Sequence, residues 1–377
     1  SSIFRIITLM AALSAAVWLA GCTNEEHFVN PQESGNSVRF RLEVPNIGIP
    51  KVSTRSMAGT GLAGKEDEVK TVDVLVFDAS SSPEMFLQWV EATDVSQNLS
   101  VSTVAQFTAT LASTSASTRI VVVANSSLSS IASGFAGKNK AQVMEMLSYS
   151  STGNWPVNGA SVTGYTPVPM YGETLVPRIN TSMVIGTPIP LTRMLARIDV
   201  LNSASDFTVE EVYLVNYNTN GYIAPGWDTD GQVDYTSIPN IPSTSGKQTG
   251  ETTKLTYPVN GSNSYTGEIY TFEAPAAADG TNDTDSSRKD AVCLIVKGKR
   301  GSGISGYYRI DFMAPGSETY VPLKRNYKYI VDIQHAAGVG YGNITEAINS
   351  YRVMSHLTVR LITYGSQEKL TSVVYNG

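Results

Sequence analysis

Short alternating runs organise this chain. Val38 to Val44 (VRFRLEV) puts Val38, Phe40, Leu42 and Val44 on one face and Arg39, Arg41 and Glu43 on the other. A period of two is the signature of a strand with one buried face. Further runs of β-branched and aromatic residues, bounded by Gly, Pro, Asn and Ser, predict strands at Val69 to Phe77, Phe86 to Val90, Ala105 to Leu111 and Arg119 to Ala124. The last, RIVVVA, is apolar after its first residue, which predicts burial on both faces. One stretch has helical spacing, from about Lys138 to Ser148, with Val143, Met144 and Leu147 on one side.

The second half repeats the order. Ala196 to Leu201 (ARIDVL) alternates like the first strand, and Phe207 to Tyr217 (FTVEEVYLVNY) has the pattern of Val69 to Phe77. Ala291 to Lys297 (AVCLIVK) matches RIVVVA. The pattern therefore predicts a mainly all-β chain of two tandem β-sandwich domains, joined near Pro188 to Leu191, with one or two short helices. Long Gly/Ser/Thr/Asn stretches, Tyr222 to Thr253 and Ala276 to Ser287, are expected on the surface.

The first residues change the picture. Arg5 begins a positive n-region, Ile6 to Trp18 is an apolar run, and Leu19-Ala20-Gly21-Cys22 is a lipobox. The run is short for a transmembrane helix and has the flanks of a signal peptide. Residues 1–21 are thus expected to be a lipoprotein signal peptide, with the Cys22 thiol taking the lipid. Residues 22–37, poor in apolar side chains, are expected to form a flexible tether. The expected domains are then residues 38–189 and 190–377. The acidic start Cys22-Thr23-Asn24-Glu25-Glu26 looks like a surface-export signal.

Composition narrows the function classes. The net charge is −6, and losing Arg5 with the signal peptide leaves −7; no basic block appears, so nucleic acid is not an expected partner. With Cys22 lipidated, Cys293 is alone and no internal disulfide is expected; its apolar strand context predicts an inert buried thiol. His27, His335 and His356 are isolated, and no metal, nucleophile-elbow or phosphate-loop motif appears, so no cofactor and no catalysis are expected. Gly338, Gly340 and Gly342 lack a βαβ context and are expected to form a turn. Asp228, Asp230, Gly231 and Asp234 resemble the start of a calcium loop, but the later bidentate Glu is missing and an acidic turn fits better. Asp279, Asp283 and Asp285 are read the same way. Tyr222, Trp227, Tyr235 and Tyr257 lie in or beside the long loops, where they suit either sugar stacking or ordinary strand ends.

Several segments in order resemble the fimbrillins, the FimA-like and Mfa-like pilins of type V pili from Bacteroidota. They are the lipobox, RFRLEV, the Thr54-Arg55 step, VKTVDVLVFD, RIVVVANSS, and PVPMYGE at Pro167 to Glu173. PLTRMLARIDV at Pro190 to Val200, LKRNYKYIVDI at Leu323 to Ile333 and AGVGYGNITEAI at Ala337 to Ile348 follow. The resemblance departs at the C-terminus, where relatives usually continue past a segment like SVVYNG and this sequence stops at Gly377.

The resemblance implies transthyretin-like/Greek-key sandwiches and a non-enzymatic fimbrial subunit, whether main shaft, anchor or tip. It implies export as a lipoprotein to the outer membrane and cell surface, held by lipid on Cys22. An Arg-specific protease would then cut between Arg55 and Ser56, releasing the first strand with Val38, Phe40, Leu42 and Val44 to leave a groove. Another pilin subunit would fill that groove by strand addition and incorporate the chain into a fimbria. The Gly/Ser/Ala context of Arg55 is the kind of loop that proteases nick. Of two C-terminal segments, HLTVRLITY, with Leu357, Val359 and Leu361 on one face, is the preferred donor candidate, and the tail Leu370 to Tyr375 is the second. The alternative reading is a surface lipoprotein adhesin that binds a glycan or host protein through its aromatic-bearing loops.

Overall fold

The structure, a computed structural model, describes residues 36–44, 65–99, 104–155, 165–181, 183–235, 239–243, 246–258, 263–277, 286–314, 319–350, 357–364 and 371–374. The expected signal peptide, Cys22, the expected tether up to residue 35, Arg55 and Ser56 lie outside these residues, as do His356, Asp279, Asp283 and Asp285, whereas Asn36 and Ser37, expected in the tether, belong to the first strand. Among the described residues no helix is long and apolar enough to cross a membrane.

The chain is mainly β. The first half supplies β1 (Asn36–Glu43), β2 (Val72–Asp78), β3 (Met85–Glu91), β4 (Thr93–Gln97), β5 (Val104–Leu111), β6 (Thr118–Ala124), β7 (Ser148–Ser150), β8 (Met170–Val176), β9 (Ile189–Pro190) and β10 (Thr192–Arg193). The second supplies β11 (Ala196–Asn202), β12 (Phe207–Val215), β13 (Asn220–Tyr222), β14 (Gly226–Trp227), β15 (Val233–Asp234), β16 (Leu255–Pro258) and β17 (Tyr265–Thr271). It continues with β18 (Cys293–Arg300), β19 (Ser305–Asp311), β20 (Lys328–Ala336), β21 (Leu357–Tyr364) and β22 (Thr371–Val374). Short helices are α1 (Lys140–Met146), α2 (Ser286–Lys289) and α3 (Ile344–Ile348).

In the first half, sheets β4-β5-β1-β9 and β10-β8-β6-β2-β3 enclose a core that includes Phe40, Leu42, Phe107, Val74, Ile120 and Leu191. In the second, sheets β17-β11-β20-β21-β22 and β16-β12-β18-β19 enclose a core that includes Ile198, Leu214, Leu294, Tyr329, Val331 and Val359. The repeated sequence order has a counterpart in pairing. β2 runs antiparallel to β6 as β12 does to β18, and β1 and β11 each have one antiparallel and one parallel neighbour. The Pro188 to Leu191 region still pairs within the first sheets, through β9 on β1 and β10 on β8. β10, ending at Arg193, pairs in the first sheets, and β11, starting at Ala196, pairs in the second.

RIVVVA is buried on both faces because a second apolar layer covers its sheet. Ile120 and Val122 face the sandwich core, while Val121 and Val123 face a cluster with α1, Trp155 and the second-half residues Ile223, Tyr270 and Phe272. α1 begins at a capping box: the Asn139 side chain accepts from the Gln142 N–H, and the Gln142 side chain accepts from the Asn139 N–H. It buries Val143 and Met144, as its spacing requires. A two-stranded ribbon, β7 with β13, crosses from one half to the other. There Gly221 is needed, since a Cβ would sit 2.8 Å from the Phe272 ring.

One buried carboxyl makes stability depend on pH. Asp73 on β2 is 3% exposed, accepts a 2.6 Å hydrogen bond from the Trp89 indole and lies across the ladder from Glu91. Burial, with help from Glu91, pushes its pKa up from 3.8 to about 6, the Trp89 hydrogen bond opposing. The folded state therefore binds this proton more tightly than the unfolded chain. The favourable contribution holds below about pH 4 and is lost as pH rises through about 6. Asp73→Asn, which keeps an acceptor for Trp89, is expected to gain about 1–2 kcal/mol at pH 7.5 after screening. Thermal unfolding of both proteins between pH 4.5 and 8 checks this; parallel curves would remove Asp73 as the cause.

Candidate functional site

β1 is the strand expected to be displaced. Its side chains alternate buried and exposed, as the sequence predicts, and Val38, Phe40, Leu42 and Val44 are at most 1% exposed. Phe40 stacks on Phe107 with ring centroids 4.7 Å apart. Burial of these four side chains contributes about 6–12 kcal/mol gross.

The two edges of β1 are held unequally. On one side it pairs with β5 along its whole length, from Asn36 with Leu111 to Glu43 with Val104. On the other it meets β9 in parallel only at Leu42 and Glu43, with further backbone bonds from Arg39 N–H to Met183 O (3.1 Å) and from Ile185 N–H to Arg39 O (2.9 Å). The corresponding side of β11 is covered by β20 from Arg197 to Asn202. The first sandwich thus has short, irregular pairing where the second has a full strand.

The donor candidates lie in the second sandwich of their own chain. β21 sits between β20 and β22, and Leu357, Val359 and Leu361 are buried in that core. β22, from the tail candidate, is the edge strand of its sheet and pairs only with β21 among the described strands.

A polar cluster built on the Lys65–Asp67 turn joins the halves. Arg193 pairs with Asp67, donates to the Glu66 carbonyl at 3.2 Å and donates to Asn326 Oδ1 at 2.8 Å. Arg197 pairs with Glu66 at 3.0 Å and with both oxygens of Asp199 at 2.8 and 2.9 Å. The Tyr270 hydroxyl donates to Glu66 at 2.8 Å, and Lys328 reaches Asp199 at 3.0 Å. Burial by itself would lower the Arg197 pKa; the carboxylates of Glu66 and Asp199 more than offset it and hold the group above its ordinary value. Sequence reasoning found Arg193 and Arg197 only as motif letters. Asp199 is two positions from Arg197, but Glu66 and Asp67 are more than 120 residues away, so no local pattern showed the clamp.

The other sequence candidates fall elsewhere. Asp228 closes its own turn, accepting from the N–H groups of Asp230 and Gln232, and among the described residues no group of three or more His, Cys, Asp or Glu could hold a metal. Cys293 is buried in β18, and burial pushes its thiol up to about 12. His335 lies 3.2 Å from Asp206 and is half exposed. Gly340 packs against Tyr307 and Tyr308, in a turn that bridges Tyr341 to Tyr307. Tyr257 is buried in the second core, whereas Tyr222 and Trp227 are partly exposed and Tyr235 is exposed.

Residues 38–193 match the family described as major fimbrial subunit protein (FimA). No curated protein matches the chain. Among solved structures, the chain is similar to the tip fimbrial protein Mfa3 from Porphyromonas gingivalis with a C-terminal truncation, at 13% identity, 90% coverage of this chain, 99% of that one and a TM-score of 0.49. It is similar to a fimbrial assembly protein from Parabacteroides distasonis at 10% identity, 90% and 98% coverage and a TM-score of 0.44. A cell-adhesion candidate from Bacteroides eggerthii matches at 17% identity, 90% and 96% coverage and a TM-score of 0.48. The family match runs from β1 to Arg193, where the first sandwich ends, and over that stretch the chain is similar to this fimbrial subunit family.

Proposed function

We propose that this chain is the precursor of a structural or accessory subunit of a cell-surface fimbria. The carrying observation is β1 with the residue after it: Val38, Phe40, Leu42 and Val44 are buried, on a strand with one edge only briefly paired. Signal peptidase exposes Cys22, lipid on that residue anchors the precursor in the outer membrane, and an Arg-specific protease hydrolyses the Arg55–Ser56 bond. β1 then departs with the lipid and leaves one edge of β5 unpaired, its other edge still held by β4. A bare edge beside an open apolar groove is a template for an added strand. A tail from another subunit fills it. Extracting β21 would empty three buried positions of its own core, whereas β22 leaves from an edge; the cost difference favours the tail Leu370 to Tyr375 as donor.

Arg55→Ala tests this reading. Purified precursor treated with an Arg-specific protease is expected to give SDS-resistant ladders from the parent chain. The variant is expected to stay monomeric with β1 in place. Ladders of equal extent from both would overturn the assigned cut.

A further inference from the structure

We propose that the cleft beside the β14–β15 ribbon is a binding site for neutral carbohydrate, with Trp227 as its stacking platform. The cleft has a volume of about 540 Å³ and is lined by Gly226, Trp227, Asp228, Asp234, Pro239 and Asn240, among others. That volume lies within the ~300–1,000 Å³ of small-ligand sites.

The ribbon is held in place by the other half of the molecule. Its turn is closed by Asp228, which accepts from Asp230 N–H at 3.0 Å and Gln232 N–H at 2.8 Å. Gly231, at φ 78°, lies so close to α1 that a Cβ would be 3.0 Å from Ala141 N and from Lys140 Cβ. The Gln232 side chain reaches Arg119 and Glu84, each at 3.5 Å. Trp227 stands edge-on to Tyr222, with ring centroids 5.0 Å apart and planes at 73°. An indole fixed in advance loses little freedom when a ligand stacks on it.

The lining has two chemistries side by side. Trp227 and Pro239 offer apolar surface, and Asp228, Asp234 and Asn240 bring carboxylate and amide groups to the same cleft. A pyranose ring has this duality, with a face of C–H groups and a rim of hydroxyls. The carboxylates of Asp228 and Asp234, with Asp230 on the adjoining turn, set the sign. They accept from hydroxyls and repel sialylated or sulfated sugars, so the site takes neutral glycans. The site lies away from β1 and requires neither cleavage nor polymerisation.

The test applies the unprocessed full chain to an array of printed oligosaccharides ending in mannose, galactose or N-acetylglucosamine, with sialylated counterparts. Binding to one or more neutral glycans is expected, with at least a tenfold loss in Trp227→Ala and retention in Trp227→Phe. Because Trp227 also packs against the domain junction, Asn240→Ala is measured beside it, with an expected severalfold loss and an unchanged melting temperature. Binding to no neutral glycan, preference for the sialylated set, or full binding by both Trp227→Ala and Asn240→Ala would overturn the proposal.

Discussion

Phe40→Ala is expected to destabilise the first sandwich by about 3–5 kcal/mol. Phe40 is 1% exposed at the centre of β1, stacked on Phe107, and backed by the opposing sheet through the shared core. Truncation removes the ring's transfer free energy and leaves a cavity that neighbouring sheets can only partly close. The core that holds Leu214, Leu294 and Val331 does not include Phe40. Hydrogen exchange followed by mass spectrometry should therefore show faster exchange in β1 and β5, with β12 and β18 near their parental rates. A loss below about 1 kcal/mol would show that β1 is not seated as the structure has it. The same change is expected to speed release of β1 after cleavage, because the strand leaves from a weaker seat.

Arg197→Ala is expected to cost about 3–5 kcal/mol, through a different mechanism. The guanidinium serves Glu66 and Asp199 together, both nearly buried. Removing it leaves two carboxylates in a low-dielectric junction, with Lys328 on Asp199 and Tyr270 on Glu66 as partners. Denaturant unfolding measures the loss. Adding Glu66→Ala to Arg197→Ala should cost much less than the sum of the single losses, since the two side chains share one contact. Strict additivity would exclude the clamp. Under the proposed maturation the clamp has a further consequence. Lys65–Asp67 lies after the proposed cut, so these residues stay fixed at the junction when β1 leaves. Arg197→Ala should then allow protease to enter this segment in cleaved subunits, read by N-terminal sequencing of the fragments.

Local periodicity was enough for the longer strands and the faces they bury. Strict alternation at Val38, Phe40, Leu42 and Val44 allows one apolar face, and that face is the one in the core. RIVVVA, apolar at consecutive positions, required two covering layers, and α1, with second-half residues, supplies the outer one. Cys293 was legible for the same reason. Local signals also gave α1, while α3, five residues long with its Asn343 cap, was too short for its periodicity to stand out. What tertiary structure alone decided depends on pairs far apart in sequence. The clamp joins residue 66 to 197 and 270, and the β7–β13 ribbon joins residue 149 to 221. The aromatics beside the long loops were also sorted only by the fold, which buried Tyr257 in a core and placed Trp227 in a cleft. Periodicity reports which face a residue presents within its own element. It carries no information about which distant element meets that face, because that choice is made by the packing of whole sheets.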